Sequence, residues 1–143
     1  MVQRIQSVLL LLASGASFAP FALPFAIGQA PESASGVFAD GVYNLHDNLI
    51  LLLSFSLAGV LGLVAIFFFR NRKWQKTLAL LTALLILLGI AFMVTFYFRA
   101  ADGIQASIAA GSIIPVAGLL AAFLARRFIQ KDENLVKSMD RLR

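Results

Sequence analysis

Four stretches of this 143-residue chain contain no charged side chain: Ile5 to Pro31, Asn48 to Phe69, Thr77 to Phe98 and Gly103 to Ala125. A bilayer core of roughly 30 Å needs about 20 consecutive apolar helical residues, and every backbone N–H and C=O inside it must be satisfied within the segment or its neighbours. Each stretch is long enough. The composition agrees, with 60% hydrophobic and 13% charged residues. These features predict an all-α polytopic membrane protein, a four-transmembrane-helix bundle with a C-terminal cytoplasmic amphipathic helix. The expected spans are 5–28, 48–69, 77–98 and 104–125, joined by an outer loop 29–47 and a cytoplasmic turn 70–76, with a tail 126–143. Little chain is left for a separate soluble core, so one domain is expected.

The charges orient the spans. Eleven of the twelve Lys and Arg residues fall before span one, between spans two and three, or after span four; only Arg99 lies elsewhere. Short basic loops stay on the cytoplasmic side, so both termini are expected there. The first span also resembles a secretory leader, with a basic start, an apolar run and the small residues Ile27 to Ala30. Pro31 directly after the best cleavage point and the length of the run favour a retained span.

Pro20 and Pro24 each remove an intrahelical donor, which predicts a kink in the outer half of span one. Gly15, Ala19, Ala22 and Ala26 recur at helical spacing as a stripe of small side chains that lets a second helix approach closely. Ser54, Ala58 and Ala65 repeat this in span two, and Ser107, Gly111, Gly118 and Ala122 in span four; packing within the bundle accounts for all three. In the outer loop, Val37 to Ala39 and Val42-Tyr43 suggest a short hairpin about Asp40-Gly41. Asp47 and Asn48 are placed to cap span two. Beyond Arg126 the apolar residues Phe128, Leu135, Met139 and Leu142 share a helical face, so the tail either prolongs span four or lies on the membrane.

Chemistry is sparse. No charged residue and no His lies within the apolar runs, which disfavours proton relays and ion-coupled transport. The chain has no cysteine and one histidine. His46 beside Asp47 falls short of a usual zinc or haem ligand set and reads as an interfacial polar pair. No catalytic, cofactor-binding or metal-binding residues are assigned, and no enzyme activity or cofactor is expected. A pore built from several copies would need a lining drawn from Gln6, Ser54, Ser56, Thr82, Thr95 and Gln105. A lipid-modifying enzyme would need His46 with Asp47 or Asp102. The basic turn Arg70-Asn71-Arg72-Lys73 fits topology and anionic head groups better than nucleic acid.

The opening Met1-Val2-Gln3-Arg4-Ile5-Gln6-Ser7, the turn Phe69-Arg70-Asn71-Arg72-Lys73-Trp74-Gln75 and the closing run from Lys131-Asp132-Glu133 to Asp140-Arg141-Leu142-Arg143 together resemble the short bacterial integral membrane proteins grouped as domain of unknown function 4293. The resemblance spans the full length. It implies four spans in a bacterial cytoplasmic membrane, and it brings no catalytic or binding residues with it. The tail also carries acids where topology needs only cations. An interaction cluster of Arg4, Arg70, Asn71, Arg72, Lys131, Asp132, Glu133, Asp140, Arg141 and Arg143 is therefore expected, closing the bundle or docking a larger membrane partner. These readings converge on a non-catalytic accessory or structural subunit.

Overall fold

In a computed structural model, residues 2–28, 38–100 and 106–140 are described. Four helices form an up-and-down bundle: α1 (Val2–Phe18), α2 (Leu49–Phe67), α3 (Arg72–Ala100) and α4 (Ala110–Asp140). Each packs on its neighbours in sequence and α4 closes on α1, while the diagonal contact of α1 with α3 is slight. Helices α2, α3 and α4 are long and apolar enough to cross a membrane. Helix α1 has 17 residues, about 25 Å at 1.5 Å per residue, short of the roughly 30 Å of a hydrocarbon core.

The first apolar stretch is thus not one kinked helix over 5–28. Pro20 and Pro24 stop α1 rather than bend it: the chain passes into a short 3-10 turn, Ala19–Phe21, and then into strand β1, Ala26–Gly28. Two prolines four apart remove two donors, and each disfavours helical geometry in the residue before it, so an extended path costs less than a broken helix. Likewise span four starts late. Residues Ala106–Ile108 form strand β3, and α4 begins at Ala110.

These strands build a cap that an all-α reading omits. With β2 (Val42–Tyr43) they form a three-stranded antiparallel sheet in the order β2-β1-β3. Ala26 pairs with Tyr43 on one side and with Ile108 on the other. Strand β2 therefore partners β1, and not a hairpin arm at 37–39, of which Val37 lies outside the described residues. Gly41 does supply the positive φ, 76°, that lets the turn from Phe38 close. Asn48 caps α2 by accepting from the Ile50 N–H at 3.0 Å, whereas Asp47 accepts from the Asn44 N–H at 2.6 Å. Burial raises the Asp47 carboxyl above its usual range, and that hydrogen bond opposes the rise.

Non-helical backbone set among long apolar segments must find its hydrogen-bond partners within the protein. Here it does. The Phe25 N–H donates to Tyr43 O at 2.8 Å, the Ala109 N–H to Phe25 O at 2.9 Å, and the Gly111 N–H to Pro24 O at 3.1 Å. The Ser107 and Ser112 hydroxyls donate to the Ile27 and Phe25 carbonyls. Under the sheet lies an aromatic core: Phe25 sits 5.2 Å from Tyr43 and 6.0 Å from Phe55, and Phe38 sits 5.8 Å from Tyr43. The Tyr43 hydroxyl, fully buried, donates to the Met93 carbonyl at 3.2 Å.

Through the apolar zone the buried positions mix small residues with Leu10, Leu51, Phe55 and Ile86, while many large side chains face outward. Ala13, Ala58, Ala79, Ala83 and Ala122 are buried, while Leu11, Leu53, Leu84, Leu88 and Leu120 are exposed. So many exposed leucines are unlike the surface of a bundle in water and agree with helices apolar enough to cross a membrane.

Candidate functional site

At the end of the bundle opposite the sheet, an ion-pair network joins α3 to α4. The turn from α2 is short: Asn71 donates its N–H to Phe68 O at 2.9 Å, and its side chain accepts from the Trp74 N–H at 3.4 Å, capping α3. Most of the expected basic turn is therefore helical, which puts Arg72 and Lys76 one turn apart on a face towards α4. Helix α4 runs unbroken to Asp140, so the tail prolongs it and brings carboxylates level with those cations. Arg72 Nη2 lies 3.6 Å from Asp132 Oδ2. Lys76 Nζ lies 2.8 Å from one Glu133 oxygen and Lys137 Nζ 2.8 Å from the other.

Glu133 is the centre of this network. Its side chain is 9% exposed, wedged between two ammonium groups beyond the apolar segment. The hydrogen bond from Lys137, then that from Lys76, pulls its carboxyl down from 4.5 to about 2. A carboxylate held by two charge-assisted bonds stays ionised at any physiological pH.

Of the residues the sequence singles out, Arg72, Asp132 and Glu133 are brought together. Arg70 and Lys131 are exposed and make no ion pair among the described residues. The side chains of Arg4 and Asp140, and all of Arg141 and Arg143, lie outside the description. Lys76 is a partner that sequence reasoning missed; its signal was the spacing of four residues from Arg72. On the tail, Leu135 and Met139 are exposed, while Ile129 and Glu133 face the bundle, so the expected apolar stripe is not the packed one.

The small-residue stripes also need correction. Because α1 ends at Phe18, Ala19, Ala22 and Ala26 do not continue its face, and Gly15 is exposed with nothing within 4 Å of where a Cβ would stand. The face that packs carries Leu10, Ala13, Ser14 and Ser17. Ser14 donates to the Gly59 carbonyl at 2.6 Å, and a Cβ on Gly62 would stand 3.1 Å from Ser14 Cβ. Ser54, Ala58 and Ala65 are buried, though Gly59 and Gly62 set the closest approach. In α4, Gly118 meets Ala16, Gly111 sits under the Leu23 and Pro24 carbonyls, and Ala122 is buried. Ser107 lies on β3, where it is exposed.

Polar groups within the bundle are mostly self-satisfied. Ser54, Ser56 and Thr95 donate to carbonyls four residues back, at 2.7, 2.5 and 2.7 Å. Gln6 Nε2 and Thr82 Oγ1 are buried without a hydrogen-bond partner among the described residues. His46 is exposed, its ring edge-on to Phe21 at 6.0 Å, while Asp102 and Gln105 lie outside the described residues. Among the described residues no group of three His, Cys, Asp or Glu is placed to hold a metal ion.

On the flank of the bundle, α1 and α4 leave an apolar groove of about 350 Å³ lined by Leu12, Gly15, Ala16, Ile114, Ala117 and Gly118. The described surface thus offers a charged end, a sheet-capped end and a small-residue groove between them. No curated protein and no solved structure matches the chain. The family described as domain of unknown function (DUF4293) matches over residues 2–142, almost the whole length, and the protein belongs to that family.

Proposed function

We propose that this protein is a non-catalytic integral membrane subunit that attaches through its flank to a larger complex of the bacterial cytoplasmic membrane. The groove between α1 and α4 carries the reading. Lipid tails fill a narrow small-residue groove poorly, whereas a helix from a partner can lay its own side chains over Gly15 and Ala117, and such seams are where membrane helices associate. In this reading the start of α1 and the end of α4 lie on the cytoplasmic side; the clustering of Leu10 of α1 with Ala65, Ala79 and Ile129 supports their sharing one end of the bundle. The basic residues concentrate at that same end.

Purification in a mild detergent, with identification of what travels in stoichiometric amount, tests the proposal. A partner that is lost on Gly15→Ile, while the variant melts no lower than the wild type, is the expected result. A clean homo-oligomer that passes solutes in liposomes would instead make it a small pore, and the accessory role would fall.

A further inference from the structure

Beside the ion-pair network, where the α2–α3 turn faces the extension of α4, lies an open cleft of about 700 Å³. Arg70, Arg72 and Lys73 line one wall, and Lys137 with the Glu133 carboxylate the other. Two of these cations are spoken for: Arg72 by Asp132, and Lys137 by Glu133. Arg70 and Lys73 have no carboxylate partner among the described residues, so the cleft keeps a positive surplus around two free donors. The amino-terminal end of α3 opens at the same place and adds its partial positive charge.

The margins of the cleft are apolar. Phe69 and Val136 line it, each about half exposed, and Phe67 and Trp74 stand exposed nearby in sequence, at 78% and 59%. Arg is suited to phosphate oxygens because its planar fork matches them, and Lys adds a mobile point charge. An occupant that satisfies both the cations and the apolar margin has an anionic head and a hydrocarbon tail. Free phosphate or nucleic acid would leave Phe69 and Val136 uncovered.

We propose that this cleft binds the phosphodiester head group of an anionic glycerophospholipid, with Arg70 and Lys73 as its phosphate ligands and Phe69 and Val136 against the start of its acyl chains. The site rests on the membrane reading of the bundle and is independent of the accessory role; resistance of the protein to carbonate extraction tests membrane insertion separately. The full chain, purified in mild detergent, is titrated with phosphatidylglycerol or phosphatidylcholine, and retained lipid is counted by native mass spectrometry.

The wild type is expected to retain phosphatidylglycerol in preference to phosphatidylcholine. The Arg70→Gln/Lys73→Gln pair is expected to show a roughly 25-fold loss of affinity, the equivalent of about 2 kcal/mol. The charge-preserving Arg70→Lys/Lys73→Arg pair keeps most of the binding, and lipid-free melting is unchanged in both. Should the Gln pair fail to fold, each single Gln variant reads a roughly fivefold loss. Equal retention of the two lipids, or undiminished binding by the Gln variants, overturns the proposal. Displacement of the lipid by inorganic phosphate as readily as by phosphatidylglycerol assigns the cleft to a soluble anion and overturns it equally.

Discussion

Lys76 Nζ and Glu133 Oε2 lie 2.8 Å apart, across 57 residues of sequence, and tie the start of α3 to the part of α4 that projects past the apolar zone. Glu133 also holds Lys137, so the three charges act as a unit. In a double-mutant cycle, Lys76→Met and Glu133→Gln are each expected to lower the melting temperature in detergent, and the double variant to lose less than the two together. Strict additivity would show that the contact contributes nothing.

Acid should loosen the same contact. The Glu133 carboxyl sits at about 2 in the folded protein against an ordinary 4.5, so its stabilising contribution is complete above about 4.5 and is lost as the pH falls towards 2. Melting temperature followed over that interval is expected to fall, and Glu133→Gln to flatten the fall. An acid limb of the same depth in the variant would place the effect on other groups.

Two glycines of similar appearance in sequence should respond in opposite ways. A Cβ on Gly111 would overlap the Leu23 and Pro24 carbonyl oxygens, which belong to backbone that cannot rotate aside. Gly111→Ala is expected to cost about 2 to 3 kcal/mol and to release the sheet cap. At Gly15 nothing stands within 4 Å. Gly15→Ala should therefore stabilise the isolated bundle by about 0.5 to 1 kcal/mol through helix propensity. Denaturation in mixed micelles measures both.

Two hydroxyls offer a similar contrast. Ser14 links α1 to the Gly59 carbonyl at 2.6 Å, and Ser14→Ala is expected to cost about 0.6 to 1 kcal/mol. Thr82 is fully buried and its hydroxyl has no partner among the described residues. Thr82→Val, which keeps the shape and removes the stranded oxygen, should gain about 1 kcal/mol. A loss at Thr82 in the same assay would reveal a partner for that hydroxyl.

Much of the site was legible in part. The mixed charges of the tail pointed to pairing with the basic turn, and Arg72 does meet Asp132. Lys76 was not legible as the partner of Glu133, because that match depends on α4 running on straight past Arg127, which a local pattern of charges leaves open. The stripe through Gly15, Ala19, Ala22 and Ala26 was misread because it assumed one continuous helix. The prolines that break it were visible, yet the alternative to a kink needed hydrogen-bond partners from β2, β3 and α4.

The number and length of the apolar segments and the basic character of one end follow from the sequence alone, because the cost of placing a charge in hydrocarbon is set residue by residue, and the cap at Asn48 follows because a short acceptor side chain meets the unpaired N–H groups next to it. The tertiary structure alone decided where α1 stops, which strands pair, and whether Ser14 or Gly15 faces inward. The reason is that lipid and protein core are nearly equally apolar, so a helix such as α2 or α3 carries little hydrophobic asymmetry to mark its inner face. Close fit and hydrogen bonds between distant segments supply the distinction.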